Sequence, residues 1–335
     1  MNKQHTKKLG IFLLKLLGTV LFLWWALSQI PDKQALGDNF RRALRSPIWV
    51  MAGVGMAFLS LLTNALRWYF LLRAQGIRQP FSYILRLTLY GAFFNIASLG
   101  GAAGDAAKIV LLMRREPDKK VGVTMSVMVD HLIGFISSGI IFLVFTWGFG
   151  VVDQVKDVAG KNTFIAATWF QAAGLVGIFL TVFSCTPRML AWGRRNLPRM
   201  TNNHWVGKIT TIIDIYRVQW RYVVYSFLAS VVLSASFYLT FFAGVRALGE
   251  SVQASTIMSV MPIVDVVAAL PISISGLGVR ENTFNFLISQ LTGIPAAAAV
   301  AGSLIGFLFN LFWGIVGGVA IVTARNARPN VIEHE

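Results

Sequence analysis

The chain has 335 residues, of which 56% are hydrophobic and 13% are charged, and its net charge is +16. A soluble domain averages about 25% charged residues, so this composition is that of a membrane protein. The single cysteine excludes an internal disulfide and a metal site built from cysteines. We attribute the positive charge to basic loops on one side of a membrane, and we expect no nucleic-acid partner.

Apolar stretches of near-membrane length recur along the chain and predict a polytopic all-α membrane protein with one membrane domain, 1–335. The predicted segments are 10–30, 48–72, 81–100, 101–113, 123–148, 163–185, 222–246, 255–274, 276–291 and 295–323. The segment 101–113 is too short to span a bilayer, because a helix of this length reaches only about 20 Å. We therefore predict that it pairs with 81–100 as a hairpin that enters and leaves on one side.

Loop charges predict the orientation. If the N-terminus is cytoplasmic and the hairpins 81–113 and 255–291 return to their side of origin, Lys and Arg are concentrated in the inside loops. The largest of these is the basic cytoplasmic loop 186–221, and both termini are predicted to lie inside, at the inner membrane. A re-entrant hairpin and a pair of full crossings both return the chain to the same side, so loop charges do not distinguish them. The basic segment 31–47 is an exception, because this topology places it on the non-cytoplasmic side. We predict an amphipathic surface helix there, around residues 40–44.

The two halves of the chain have the same order of elements. Residues 1–150, with hairpin 81–113, and residues 163–335, with hairpin 255–291, each contain three crossings and one hairpin. The prediction is therefore six full transmembrane helices plus two re-entrant or broken hairpins. An odd number of crossings per half makes the repeat inverted, which is a common plan of secondary transporters.

Both hairpins break at small residues and restart with charged ones. Irregular backbone at bilayer depth is tolerated only where protein or a watery cavity satisfies its polar groups, so the paired breaks predict a central binding site. The candidate substrate-binding residues at the breaks are Gly101, Gly104, Asp105 and Lys108 in the first hairpin, and Ser275, Gly276, Gly278, Arg280 and Glu281 in the second.

A helix that starts inside the membrane presents free N–H groups and the positive end of its dipole to the break. With Lys108 or Arg280 nearby, that end suits an anion such as a phosphodiester. We expect Arg280 to contact a head group or to form a functional ion pair. Asp105 and Glu281 have a structural alternative, as an N-cap and as a first-turn acid respectively.

Three further candidates lie inside predicted segments, where a short charged side chain cannot reach the membrane surface. Asp130 could pair with Lys108 or Arg280, and Asp265 could pair with Arg280. His131 could exchange a proton near neutral pH or make an ordinary polar contact.

Other polar residues in the predicted segments have simpler interpretations. We expect the three basic residues near predicted cytoplasmic ends to snorkel, and these are Lys15, Arg67 and Arg86. Four amides either line a cavity or bond neighbouring helices, namely Asn64, Asn95, Asn285 and Asn310.

Enzyme signatures are absent from the sequence. The four histidines are scattered and make no metal-ligand pattern, and there is no phosphate-binding loop or nucleophile elbow. We expect no catalytic residue, no metal and no cofactor.

The order of three motifs resembles the lysylphosphatidylglycerol synthase transmembrane-region family, which is described as flippase-like. The motifs are Gly100-Gly101 followed by Gly104-Asp105 and Lys108; Asp130-His131; and Pro271-Ile272-Ser273 followed by Gly276-Leu277-Gly278-Val279-Arg280-Glu281. The resemblance covers nearly all of the chain. The chain looks like a stand-alone member without the synthase domain, so aminoacyl transfer is not expected of it.

The resemblance implies movement of a phospholipid or a lipid-linked head group between leaflets. The hypothesis is a flippase or scramblase with a polar groove between the two hairpins and an anionic lipid as its substrate. Two alternatives remain at this point: a membrane-embedded transferase acting on a lipid carrier, and a non-catalytic subunit of a lipid-modifying complex. The protein partners considered are a lipid-modifying enzyme and a second copy of the chain.

Overall fold

The computed structural model describes residues 17, 19–28, 33–97, 103–155, 157–184, 204–270 and 272–326. Within these ranges the regular structure is helical and contains no strand. The helices are α1 (Thr19–Ser28), α2 (Lys33–Leu44), α3 (Pro47–Ala74), α4 (Phe81–Ala97), α5 (Ala103–Arg115), α6 (Lys120–Leu143), α7 (Val158–Ser184), α8 (His204–Val218), α9 (Trp220–Ala247), α10 (Ala254–Ala268), α11 (Val279–Thr292) and α12 (Ala296–Asn326). The predicted all-α architecture is confirmed.

Five stretches of helix are long and apolar enough to cross a membrane. They are Pro47–Ala74, Pro117–Gly148, Val158–Ser184, Trp220–Ala247 and Ala296–Thr323. They coincide with five of the six predicted full crossings. The sixth, 10–30, is described only at residue 17 and over 19–28, the short apolar helix α1.

The boundaries of α3 illustrate how the sequence sets the limits of a span. Pro47 occupies the first turn, where its missing N–H has no intrahelical partner to lose. The helix ends shortly before Gly76, whose φ of +71° reverses the chain at no steric cost. The 28 residues between these signals reach about 42 Å, which exceeds the hydrocarbon thickness of a bilayer.

Both predicted hairpins are present as pairs of packed helices, α4 with α5 and α10 with α11. Their limbs contain 13 to 17 residues and so reach only about 20–25 Å, less than the roughly 30 Å of hydrocarbon. These lengths favour hairpins that return to their side of origin. The breaks fall where the sequence predicts them, although Gly100, Gly101 and Pro271 lie outside the described residues.

A long helix pair forms the centre of the molecule. Helices α3 and α9 pack along each other, and α12, α4 and α6 flank them. Both hairpins pack against α12 and α6. The hairpins also touch directly, because the hydroxyl of Ser275 in the second donates to the carbonyl of Asn95 in the first, at 3.1 Å. The two hairpins are therefore in contact near their tips.

Two predicted loops contain helices. The amphipathic helix expected in 31–47 is α2, which buries Ala43 against the core while Arg41 remains exposed. The basic loop 186–221 contains α8, and residues 185–203 lie outside the described part of the chain.

Candidate functional site

A cavity of about 770 Å³ lies where the two hairpins meet the central helices. We call it the main cavity. Its polar lining comes from α3, both hairpins, α6 and α12, and its lining residues with ionisable side chains are Asp105, His131, Asp265 and Arg280. Its volume is in the range of small-ligand sites, and its lining combines apolar walls with a few polar groups.

Arg280 has the most exceptional environment of these side chains. Its Nη2 donates to the carbonyl of Ser275 at 3.0 Å, and its guanidinium carbon lies 4.8 Å from the centroid of the Phe307 ring. Its Nε and Nη1 are buried and have no hydrogen-bond partner among the described residues. Buried polar atoms are nearly always bonded in folded proteins, so two orphaned donors on a cavity wall indicate a site for an acceptor.

Backbone geometry at the tip of the second hairpin explains its small residues. Ser275, Gly276 and Gly278 have φ values of 53°, 72° and 81°. A Cβ on Gly278 would lie 2.5 Å from the backbone nitrogen of Leu23 in α1, so no larger residue fits. Helix α1 also binds the tip directly, because the hydroxyl of Thr19 accepts from the N–H of Ile274 at 2.6 Å.

Glu281 lies beside Arg280 in sequence but faces away from the main cavity. Its side chain is fully buried, and its Oε2 accepts from the N–H of Gly278 at 2.5 Å. The hydroxyl of Ser303 donates to Oε1 at 3.4 Å. These contacts belong to the structural alternative, in which the acid caps the first turn of α11.

Two ionisable side chains of the first hairpin, Asp105 and Lys108, form a cluster with His131 of α6. Asp105 Oδ1 lies 2.6 Å from Lys108 Nζ, and Asp105 Oδ2 lies 2.9 Å from His131 Nε2. Lys108 is buried, with its ammonium 5.2 Å from the centroid of the Trp68 ring. Asp105 is therefore shared between two bases, and Lys108 is neutralised within its own helix.

Asp130 forms a different pair from either one predicted. Its carboxylate accepts from Nε and Nη2 of Arg67, at 2.6 and 2.7 Å, in a buried bidentate pair. Arg67 Nη1 donates to the hydroxyl of Ser230 at 3.0 Å. The expectations that Asp130 pairs with Lys108 or Arg280, and that Arg67 snorkels, are wrong. Helix α3 extends beyond Arg67 to Ala74, which places the guanidinium inside the bundle.

A smaller polar chamber of about 260 Å³ adjoins the main cavity on the side of the first hairpin. We call it the side chamber. Asn64, Asn95, Asp105 and His131 line both spaces, and the side chamber also touches Lys108 and the Arg67–Asp130 pair. The intramembrane charges of the first hairpin and α6 thus line two neighbouring cavities that share part of their walls.

Asp265 lines the main cavity near the end of α10. The sequence suggested an ion pair with Arg280, but the two side chains share the cavity without a contact within 4.0 Å. Among the described residues, no hydrogen bond to the Asp265 carboxylate is formed. The cavity therefore contains an acid and a base that do not touch each other, and each has polar atoms without a hydrogen-bond partner among the described residues.

Two further polar groups were not predicted as site residues. The Asn64 side-chain oxygen and the Ser273 hydroxyl are buried, line the main cavity and have no hydrogen-bond partner among the described residues. Asn64 was considered only as one of several amides, and Ser273 only as part of a motif. Gly101, a predicted site residue, lies outside the described residues.

Gly104 holds the two limbs of the first hairpin together, and its replacement tests this packing. Its N–H donates to Asn95 Oδ1 at 2.8 Å, and a Cβ there would overlap the carbonyl of Gly91. We expect Gly104→Ala to lower the free energy of unfolding by about 1–3 kcal/mol, as overpacking does. The measurement is the thermal midpoint of the purified protein in detergent.

Gly55→Ala is the matched control, because a Cβ at Gly55 in α3 meets nothing within 4 Å. This variant should unfold at or slightly above the wild-type midpoint, since alanine favours helix. Equal midpoints for the two variants would show that the close approach at Gly104 does not stabilise the hairpin.

These observations define the class of protein: an integral multi-pass helical membrane protein with two broken helical hairpins around a polar cavity. The sequence model described as the lysylphosphatidylglycerol synthase TM region matches residues 12–318. The chain belongs to this family, as its motifs suggested. A search of curated proteins found no significant match.

Proposed function

We propose that this protein moves phosphate-bearing lipids between membrane leaflets, with the head group passing through the main cavity. The observation that carries the proposal is the orphaned pair of donors on Arg280. A buried guanidinium is costly in a membrane unless it is paired or serves a ligand. Planar N–H donors match the oxygens of a phosphate, so a lipid phosphodiester is the acceptor that fits this site best.

Arg280 differs from two other basic residues inside the membrane, Lys108 and Arg67, in how its charge is paired. Lys108 is bound to Asp105, and Arg67 is bound to Asp130. Arg280 differs from both, because beside its one bond to Ser275 it has two donor atoms without a partner among the described residues. We therefore propose Arg280 as the phosphate-binding residue. Lys108 and the nearby carboxylates contribute to the electrostatic potential around it.

The remaining lining of the main cavity suits the rest of a lipid. Leu61, Phe237, Phe307, Leu311 and Trp313 contribute apolar surface. Such walls accommodate the glycerol backbone and the first methylenes while the charged group meets Arg280. This arrangement of apolar walls beside a polar site supports a route in which the acyl chains remain in the hydrocarbon of the bilayer.

The orientation belongs to the same proposal. Positive loop charge supports cytoplasmic termini and a location in the inner membrane. The two hairpins, one in each half of the chain, support an inverted repeat that could expose the cavity to either leaflet in turn.

Leaflet exchange in reconstituted vesicles tests the proposal. Fluorescent phosphatidylglycerol would be bleached from the outer face, and the rate at which inner-leaflet lipid becomes accessible would be measured. We expect wild-type protein to accelerate exchange over protein-free vesicles. Arg280→Gln should reduce the accelerated rate roughly tenfold, because hydrogen bonds to a charged group are lost.

Arg246→Gln is the matched control. Arg246 also lies over an aromatic ring, 5.2 Å from the centroid of Trp49, and also has a buried Nε without a partner among the described residues. It does not line the main cavity. Wild-type exchange by Arg280→Gln, or an equal loss in both variants, would refute the role of Arg280.

A further inference from the structure

We propose that the main cavity selects head groups that carry hydrogen-bond donors in addition to their phosphate. Asp265, Ser273 and Asn64 would bind these donors, and we call the three side chains the acceptor set. This inference rests on the proposed function and adds a substrate class to it. Lipids whose head group ends without an N–H or O–H would be poor ligands.

The carboxylate of Asp265 is the strongest member of the acceptor set. It lies in a cavity wall and has neither an ion pair nor a hydrogen bond among the described residues. Arg280, which lines the same cavity, uses one nitrogen for Ser275, and its Nε and Nη1 have no partner among the described residues. Carboxylate oxygens accept hydrogen bonds, so a ligand that donates an N–H or O–H complements this side chain.

Ser273 and Asn64 extend the acceptor set on two different elements. The Ser273 hydroxyl belongs to the tip of the second hairpin, and the Asn64 amide belongs to α3. The oxygen of each is buried without a partner among the described residues, and each residue lines the main cavity. Unsatisfied buried oxygens on facing elements are costly until a ligand donates to them.

Two other acceptors around the cavity are already occupied. Asp105 binds Lys108 and His131, and Asn95 Oδ1 accepts from the N–H of Gly104. Among the described residues, the groups without a hydrogen-bond partner therefore include donors on Arg280 and acceptors on Asp265, Ser273 and Asn64. A ligand that complements both has a phosphate and, beside it, an ammonium or hydroxyl group.

Sites built to bond a ligand N–H or O–H reject analogues that lack it, because the protein groups are then left unpaired. Two matched pairs of short-chain phospholipids isolate this effect. Phosphatidylethanolamine and phosphatidylcholine have the same net charge but differ in ammonium donors. Phosphatidylglycerol and phosphatidylmethanol are both anionic but differ in hydroxyl donors.

The test is calorimetric titration of these four lipids into the full-length protein in detergent. We expect the donor-bearing member of at least one pair to bind roughly tenfold more tightly to the wild type. A preference in the first pair identifies an ammonium, and one in the second identifies hydroxyl groups. Asp265→Leu should abolish the preference, and Asp265→Asn, which retains one acceptor oxygen, should reduce it and serves if the leucine variant does not fold.

Equal affinities within both pairs, no measurable binding of any lipid, or an unchanged preference in the Asp265 variants would overturn the inference. The Arg280→Gln variant separates it from the proposed function. That substitution should weaken the binding of all four lipids equally, so that the ratio of affinities within each pair stays unchanged. A wild-type protein that shows the preference but no leaflet exchange would contradict transport and still support the acceptor set.

Discussion

Replacing Asp130 by asparagine is expected to lower the free energy of unfolding by about 3–5 kcal/mol, because it leaves a buried guanidinium without its counter-charge. Arg67 and Asp130 are almost fully buried, with 10% and 4% of their side chains exposed. Their two parallel bonds join α3 to α6, and Ser230 extends the connection to α9. Unfolding in detergent, followed by loss of helical signal with heat, measures the effect.

Asp38→Asn provides the control for this prediction. Asp38 also pairs with an arginine, Arg41, at 3.4 Å, but the two side chains are 59% and 79% exposed. Exposed pairs contribute at most about 1 kcal/mol, so this variant should unfold close to wild type. The double variant Arg67→Met/Asp130→Leu, which removes both charges, should recover much of the loss. An Asp130→Asn protein as stable as wild type would show that the pair is not a structural connection.

Ala92→Trp is expected to reduce lipid exchange to the rate of protein-free vesicles. Ala92 lines both the main cavity and the side chamber, so an indole there would occupy the space between the first hairpin and α3. No charged residue is changed, and the effect therefore tests passage through the cavity independently of Arg280. The assay is the same bleaching measurement in reconstituted vesicles.

The control is Ala173→Trp, which adds the same side chain at an exposed position on α7. Only 6% of the most apolar part of this helix is buried inside the protein. This variant should exchange lipid at the wild-type rate. Unaltered exchange by Ala92→Trp, in protein that elutes and unfolds like wild type, would place the lipid route elsewhere on the molecule.

The membrane architecture is largely predictable from local features of the sequence. Apolar length locates the five spans, and the break of the second hairpin follows from glycines that accept positive φ, Gly276 and Gly278. These signals depend on residues near one another in the chain. The paired breaks predicted a central binding site, and the bond between Ser275 and Asn95 joins the two hairpins.

The pairing of charges was less predictable, because it depends on how separate helices pack. The Arg67–Asp130 pair joins residues 63 positions apart, and nothing local distinguishes this arginine from one that snorkels. Glu281 follows Arg280 directly, yet one side chain caps a helix while the other lines the cavity. Successive helical residues point about 100° apart, so a motif alone does not assign both to one site.

A single-particle map of the protein in nanodiscs of phosphatidylglycerol tests the central claim most directly. The account predicts a lipid phosphate in the main cavity, about 3 Å from Nε or Nη1 of Arg280, with acyl chains leaving between helices. The same map of Arg280→Gln should lack that feature. A cavity that contains only acyl chains, with every head group at the membrane surfaces, would contradict the account.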